Sequence, residues 1–179
     1  FPTGAVLGRA AVMDMLTLSD DAEWNVAQRI PHFGTFNANP LSAAAGVAML
    51  GQVAEGDVTE HANEQGDKLK AAWNAVFVAE GVPWATFGLG SSVYVFTNPD
   101  GLDIDHENFD ATLQPIQVME IGGNHPACES FRLAMLVNGV DISPKPGGIV
   151  SAVHGDDDIG EAAEAVRASI AMLRAEGQL

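Results

Sequence analysis

The sequence predicts a mixed α/β fold in which one small sheet is covered by helices. Two observations carry that prediction. Apolar residues recur at helical spacing in long stretches, above all residues 156–176. Short β-branched and aromatic runs bounded by glycine or proline stand at residues 84–87, 91–96 and 149–153, all in the second half of the chain. With 47% hydrophobic residues in 179, the chain has the material for a real core, which excludes disorder as its main state.

Taken in order, residues 3–9 (TGAVLGR) read as a short buried strand or a tight loop, and residues 10–16 as a short helix. Residues 17–31 are acidic and irregular, with Trp24 and Ile30 as anchors. A loop of backbone-permissive residues, 32–40, follows. Asn39 can cap the next helix, and Pro40 suits its first position because the missing N–H would be unpaired there. That helix, residues 41–54, is thin through Ala43, Ala44, Ala45, Gly46 and Ala48, which reads as a buried helix approached closely by another backbone.

Asp57-Val58-Thr59-Glu60 has the side chains of a capping box. The helix it opens puts Leu69, Ala72, Trp73, Val76 and Phe77 on one face and ends at Gly81 and Pro83. Gly88-Leu89-Gly90 joins two strands, and residues 98–110 form a solvated connection. Residues 128–140 read as a helix with Phe131, Met135 and Leu136 inward, and residues 143–148 as a rigid turn before the last strand. The final helix carries acids at its positive end, Ile159, Ala163, Val166, Ile170 and Leu173 as a stripe, and Arg174 near its negative end.

Eight Lys+Arg against 24 Asp+Glu give a net charge of −16, which repels phosphate backbones and anionic membranes and argues against nucleic-acid or membrane partners. No apolar run approaches the roughly 18–20 residues that span a bilayer. The few lysines beside many acids resemble a salt-adapted surface, with an ordinary acidic cytosolic protein as the plainer alternative. One cysteine, Cys128, fits a reducing, cytoplasmic setting. The chain starts at Phe1 with no signal-like segment, and we expect it to be a piece of a longer protein.

The loop Gly34-Thr35-Phe36-Asn37-Ala38-Asn39-Pro40 offers a hydroxyl, backbone N–H groups and a nearby helix N-terminus, a set suited to an anion. With Phe1-Pro2-Thr3-Gly4-Ala5-Val6-Leu7-Gly8-Arg9 before it, the run GTFNANPLSAAAG resembles the class III pyridoxal-phosphate-dependent aminotransferases, and within them the glutamate-1-semialdehyde 2,1-aminomutases and near neighbours. Gly147-Gly148-Ile149-Val150-Ser151-Ala152-Val153-His154 and Asp156-Asp157-Asp158-Ile159 are similar to that family's last strand and helix.

The resemblance implies the C-terminal part of the aspartate-aminotransferase-like, type I pyridoxal-phosphate fold. Residues 1–55 would be the end of the large cofactor domain, with the dimer-interface loop 32–40. Residues 56–179 would be a connecting helix and the small α+β domain. It implies pyridoxal 5′-phosphate as cofactor, a homodimer, and a small amine or keto substrate. Thr35 would reach the phosphate of the other subunit, with Gly34 and Phe36 shaping its loop. The family's Schiff-base lysine falls before Phe1, so the chain by itself contains no catalytic residue. A truncated, non-catalytic dimerisation or ligand-binding module, or a racemase or decarboxylase, are the alternatives.

The residues themselves offer few rivals. Lys68 and Lys70 flank a helix stripe and read as solvent-facing charges, and Lys145 sits in a Pro-Lys-Pro-Gly-Gly turn. His125 and Cys128 have no second ligand pair, so no metal site is expected. Cys128 reads as a packed thiol. His32 reads as loop packing beside the Gly-Thr pair, and His154 as a partner of the acidic helix start. Arg132 could hold a substrate carboxylate or form an internal ion pair. Where the aminomutases carry a glutamate before the last strand, this chain has Ser143-Pro144-Lys145-Pro146, which leaves the reaction open between aminomutase and transaminase.

Overall fold

A computed structural model describes residues 3–179, with side chains for all of these except residues 121–124; Phe1 and Pro2 of the first motif lie outside the described residues. The chain divides into two compact units, Phe1–Gly56 and Asp57–Leu179.

In the first unit, residues 3–9 form no regular element and are exposed, so of the two alternatives the buried strand is excluded. Helix α1 (Ala10–Met13) continues into a 3₁₀ turn at Asp14–Leu16. Trp24–Gln28 makes one wide turn closed by the Arg29 N–H on the Trp24 carbonyl at 2.8 Å. Trp24 is half-buried and donates its indole N–H to the Thr17 carbonyl at 2.9 Å, while Ile30 is exposed.

Helix α2 (Pro40–Glu55) starts as its sequence dictates: the Asn39 carboxamide oxygen accepts from the Leu41 and Ser42 N–H groups at 3.0 and 3.1 Å, with Pro40 at the first position. None of the residues of α2 is buried within this unit, so the face read as buried is left as an open apolar surface here. Leu41, Val47 and Leu50 point in directions that no other element of this unit covers.

The second unit is a three-stranded antiparallel sheet, β1 (Ala85–Phe87), β2 (Ser92–Phe96) and β3 (Gly147–Ile149) in spatial order β1-β2-β3. Ala85 lies opposite Phe96, Phe87 opposite Tyr94, and Tyr94 opposite Gly147. The β1–β2 turn requires Gly88: its φ is +133°, and a Cβ there would stand 2.1 Å from the Ser92 carbonyl oxygen. Helices α3 (Val58–Glu80), α5 (Pro126–Val137) and α6 (Asp156–Ala175) pack together, and α3 also lies on β1 and β2. Trp73, Phe77, Trp84, Phe131, Met135, Val166 and Ile170 fill the core. The Trp84 ring meets Phe77 and Phe131 edge-on at centroid distances of 5.8 and 5.2 Å.

Several boundaries differ from expectation. Asp57 has φ −95° and ψ 24°, not the extended backbone that aims a capping side chain, so no capping box forms at α3. Helix α5 ends at Val137, and Leu136 is about half exposed rather than inward. The last strand begins at the glycines: Tyr94 and Val93 lie against Gly147 and Gly148, and beyond Val150 the chain turns away as the Ser151 N–H bonds the His154 ring. Helix α4 (Ile116–Asn124) and the 3₁₀ turn Ala111–Leu113 have no counterpart in the sequence reading. Among the described residues no helix is long and apolar enough to cross a membrane.

Candidate functional site

The predicted residues 34–36 occupy one exposed turn immediately ahead of α2. The Asn37 N–H donates to the Gly34 carbonyl at 3.0 Å and the Asn39 N–H to the Phe36 carbonyl at 3.2 Å, with Ala38 at φ +54° completing the reversal. A Cβ at Gly34 would meet only the Asn37 side-chain tip, at 2.5 Å, so a substitution there would displace that exposed side chain. Two closed turns use the donors of Asn37 and Asn39 and leave the Thr35 hydroxyl and the N–H groups of Thr35 and Phe36 without a partner among the described residues. Phe33 and Phe36 flank them, both more than 80% exposed. From residue 33 to 54 no side chain carries a formal charge, so in a protein of net charge −16 this stretch presents donors without a carboxylate beside them. Such a turn favours an anion of phosphate size.

The other candidates sit in the second unit and are largely committed to structure. Lys70 is not the solvent-facing charge its position on the stripe edge suggests. Its side chain is mostly covered, and its ammonium donates to the Gly88 and Gly90 carbonyls at 3.1 and 3.2 Å and pairs with Asp67 at 2.8 Å. Lys68, half exposed, pairs with Asp156. Lys145 stands exposed on its turn, which the Ser143 hydroxyl closes by donating to the Lys145 carbonyl.

Arg132 forms the internal ion pair of its two alternatives, with Nε and Nη2 on the Glu129 carboxylate at 3.1 and 3.0 Å. That fork holds Glu129 below the usual carboxylate range. Cys128 is buried, with the Thr97 hydroxyl 3.7 Å from its Sγ, and burial pushes its thiol pKa up, away from a nucleophile's. His125 caps α5 by accepting the Ala127 N–H at 3.3 Å. His154 bonds Ser151, not the helix start. Among the described residues no three metal-ligating side chains gather.

The sequence reading missed one polar network. Asn74 accepts the Thr86 N–H at 2.8 Å and donates to the His106 carbonyl at 2.6 Å, while the His106 ring nitrogen Nδ1 lies 2.7 Å from the Trp84 carbonyl and donates to it. It edges a cleft of about 1000 Å³ between α3 and residues 106–112. Nothing in local pattern separates Asn74 from any other polar residue on the outer side of a helix.

Across 92% of its length the chain is 26% identical to the glutamate-1-semialdehyde 2,1-aminomutase of Methanosarcina acetivorans, of which it covers 34%. A solved transaminase with pyridoxal phosphate bound superposes over 96% of the chain with a TM-score of 0.70 at 24% identity, and the chain covers 35% of it. The β-phenylalanine aminotransferase of Variovorax paradoxus matches over 96% of the chain at 26% identity and a TM-score of 0.60. The chain is thus similar in sequence to glutamate-1-semialdehyde 2,1-aminomutases and in fold to solved transaminases. Its fold is a portion of their type I fold, and it spans about a third of the length of the curated relatives it matches. No protein-family model matches it.

Proposed function

We propose that these residues are the C-terminal portion of a pyridoxal-5′-phosphate-dependent aminotransferase or aminomutase that moves an amino group on a small amino acid or amino ketone. The proposal rests on likeness to an aminomutase along 92% of the chain. The unpartnered donors of residues 34–36 add a reason to assign the turn a ligand. In this reading Phe1–Gly56 closes the large cofactor domain and Asp57–Leu179 is the small domain. The Thr35 hydroxyl and the Thr35 and Phe36 N–H groups hold the cofactor phosphate of the opposite subunit in a homodimer. Gly34 and Phe36 shape that loop.

The cofactor supplies an electron sink for amino-group transfer when bound. The lysine that carries it comes from outside these residues in our reading, because Lys68 and Lys70 are tied into ion pairs and Lys145 stands on a turn held between two prolines. The chain alone is therefore expected to give no site-specific, borohydride-trappable adduct with pyridoxal phosphate; a single stoichiometric adduct at Lys145, protected by an amino acid, would overturn this assignment.

Thr35 is tested in the full-length enzyme. Thr35→Val removes a donor to a charged acceptor, worth about 1.5–3 kcal/mol, and should weaken cofactor binding roughly 10- to 150-fold. Thr35→Ser should retain most of the affinity, and dimer dissociation should follow cofactor loss. The readout is cofactor release by absorbance, with sizing in parallel. Unchanged affinity in the valine variant would remove Thr35 from the site.

A further inference from the structure

We infer that the Asp57–Leu179 unit couples its folding to ionic strength, gaining stability as salt is raised. The unit contains 19 acidic residues against six basic ones, whereas Phe1–Gly56 contains five against two. The arrangement of these charges, more than their number, decides the sign of the salt effect. Five of the six basic side chains stand in contact ion pairs: Lys68 with Asp156, Lys70 with Asp67 at 2.8 Å, Arg132 with Glu129 at 3.0 Å, Arg167 with Glu80 at 3.3 Å, and Arg174 with Glu80 at 2.8 Å. The strongest attractions in this unit are thus at contact distance.

Repulsion has a longer reach. Asp57, Glu60, Glu64, Asp157 and Glu161 are exposed and have no basic partner among the described residues. Glu60 and Glu64 on α3, and Asp157 and Glu161 on α6, stand four residues apart, where helical side chains are neighbours at about 5–6 Å and like charges destabilise. The two helices pack against each other, so both rows belong to one charged unit.

The screening length is about 10 Å at 0.1 M salt and about 3 Å at 1 M. Strong salt therefore removes interactions acting over about 6–15 Å while contact pairs at about 3 Å keep much of theirs. The unfavourable part of the electrostatics is lost first, so stability rises. A surface with intermixed, balanced charges would respond weakly or with the opposite sign.

The test uses the full chain in a Trp24→Phe background, so that fluorescence reports Trp73 and Trp84 in the core of this unit. Between 0.05 and 2 M KCl, Tm is expected to rise by about 5–10 °C. The near-isosteric quadruple variant Glu60→Gln, Glu64→Gln, Asp157→Asn and Glu161→Gln should melt higher than its parent at low salt and lose about half of the salt-induced rise. The neutral osmolyte glycine betaine, at matched osmolality, should reproduce little of it. A Tm that is flat or falls with KCl, a quadruple variant with the full salt response, or a betaine effect equal to that of KCl would each overturn the inference.

Discussion

Both units carry apolar residues in similar proportion, yet only one of them encloses any. In Asp57–Leu179, Phe77, Phe131 and Val166 have no exposed surface. In Phe1–Gly56 no described residue is buried, and Leu7 and Val26 are about nine-tenths exposed. Composition alone does not separate them. The difference is that the apolar residues of α6 form one stripe, met by α3 and α5, whereas those of α2 spread around a helix that no other element of its unit covers. Burial comes from elements that converge, and a thin helix is only an invitation to convergence. Exposed apolar surface on this scale favours association.

The contrast can be broken most forcefully at the core. Phe131→Ala should cost about 3–5 kcal/mol and abolish the cooperative melt of the second unit, whereas Leu50→Ala on α2 should stay within about 0.5 kcal/mol. Chemical denaturation of both variants is the check, and equal effects would mean that α2 is packed. A smaller loss is expected from Gly66→Ala. A Cβ at Gly66 would stand 2.5 Å from the Gly90 carbonyl oxygen, so α3 and the hairpin must part, at about 1–3 kcal/mol. A neutral effect in the same assay would show that the hairpin is free to shift.

Asn39→Ala sharpens the comparison from the other side, since capping is the one well-defined local stabilisation of α2. Its loss, about 1 kcal/mol, should speed amide exchange at Leu41 and Ser42 several-fold and leave the second unit's exchange untouched. The smallest effect belongs to the exposed pair Lys68–Asp156. The hydrogen bond from Lys68 holds the Asp156 carboxyl below its ordinary value. The pair's contribution is thus present at neutral pH and lost as pH falls through the folded-state value. Melting curves of the parent should drop more steeply on acidification than those of Asp156→Asn; parallel curves would mean that the pair contributes nothing.

What the sequence made legible were features written within a few residues. Asn39-Pro40 announces the start of α2, Gly81 ends α3 in a left-handed conformation, and the stripe of α6 predicts its buried face. Legibility failed where a partner distant in the chain decides. Gly147 and Gly148 look like a turn until Val93 and Tyr94 are opposite them. Lys70 looks solvated until the hairpin carbonyls, 18 and 20 residues on, reach its ammonium. At the candidate site, residues 34–36 could be read as one turn because they are contiguous. Which of their donors stay unbonded depends on the particular way the loop reverses at Ala38.

The cradle around Lys70 has a consequence for chemical labelling. An acylating reagent needs a neutral, accessible amine, and the three lysines of this chain offer themselves unequally: Lys145 openly, Lys68 in part, and Lys70 hardly at all, capped by two carbonyls and a carboxylate. Labelling of Lys70 has to wait for the β1–β2 hairpin to lift from α3. Its reaction rate, followed by mass spectrometry, becomes a clock for that local opening, with Lys145 in the same molecule as the internal standard.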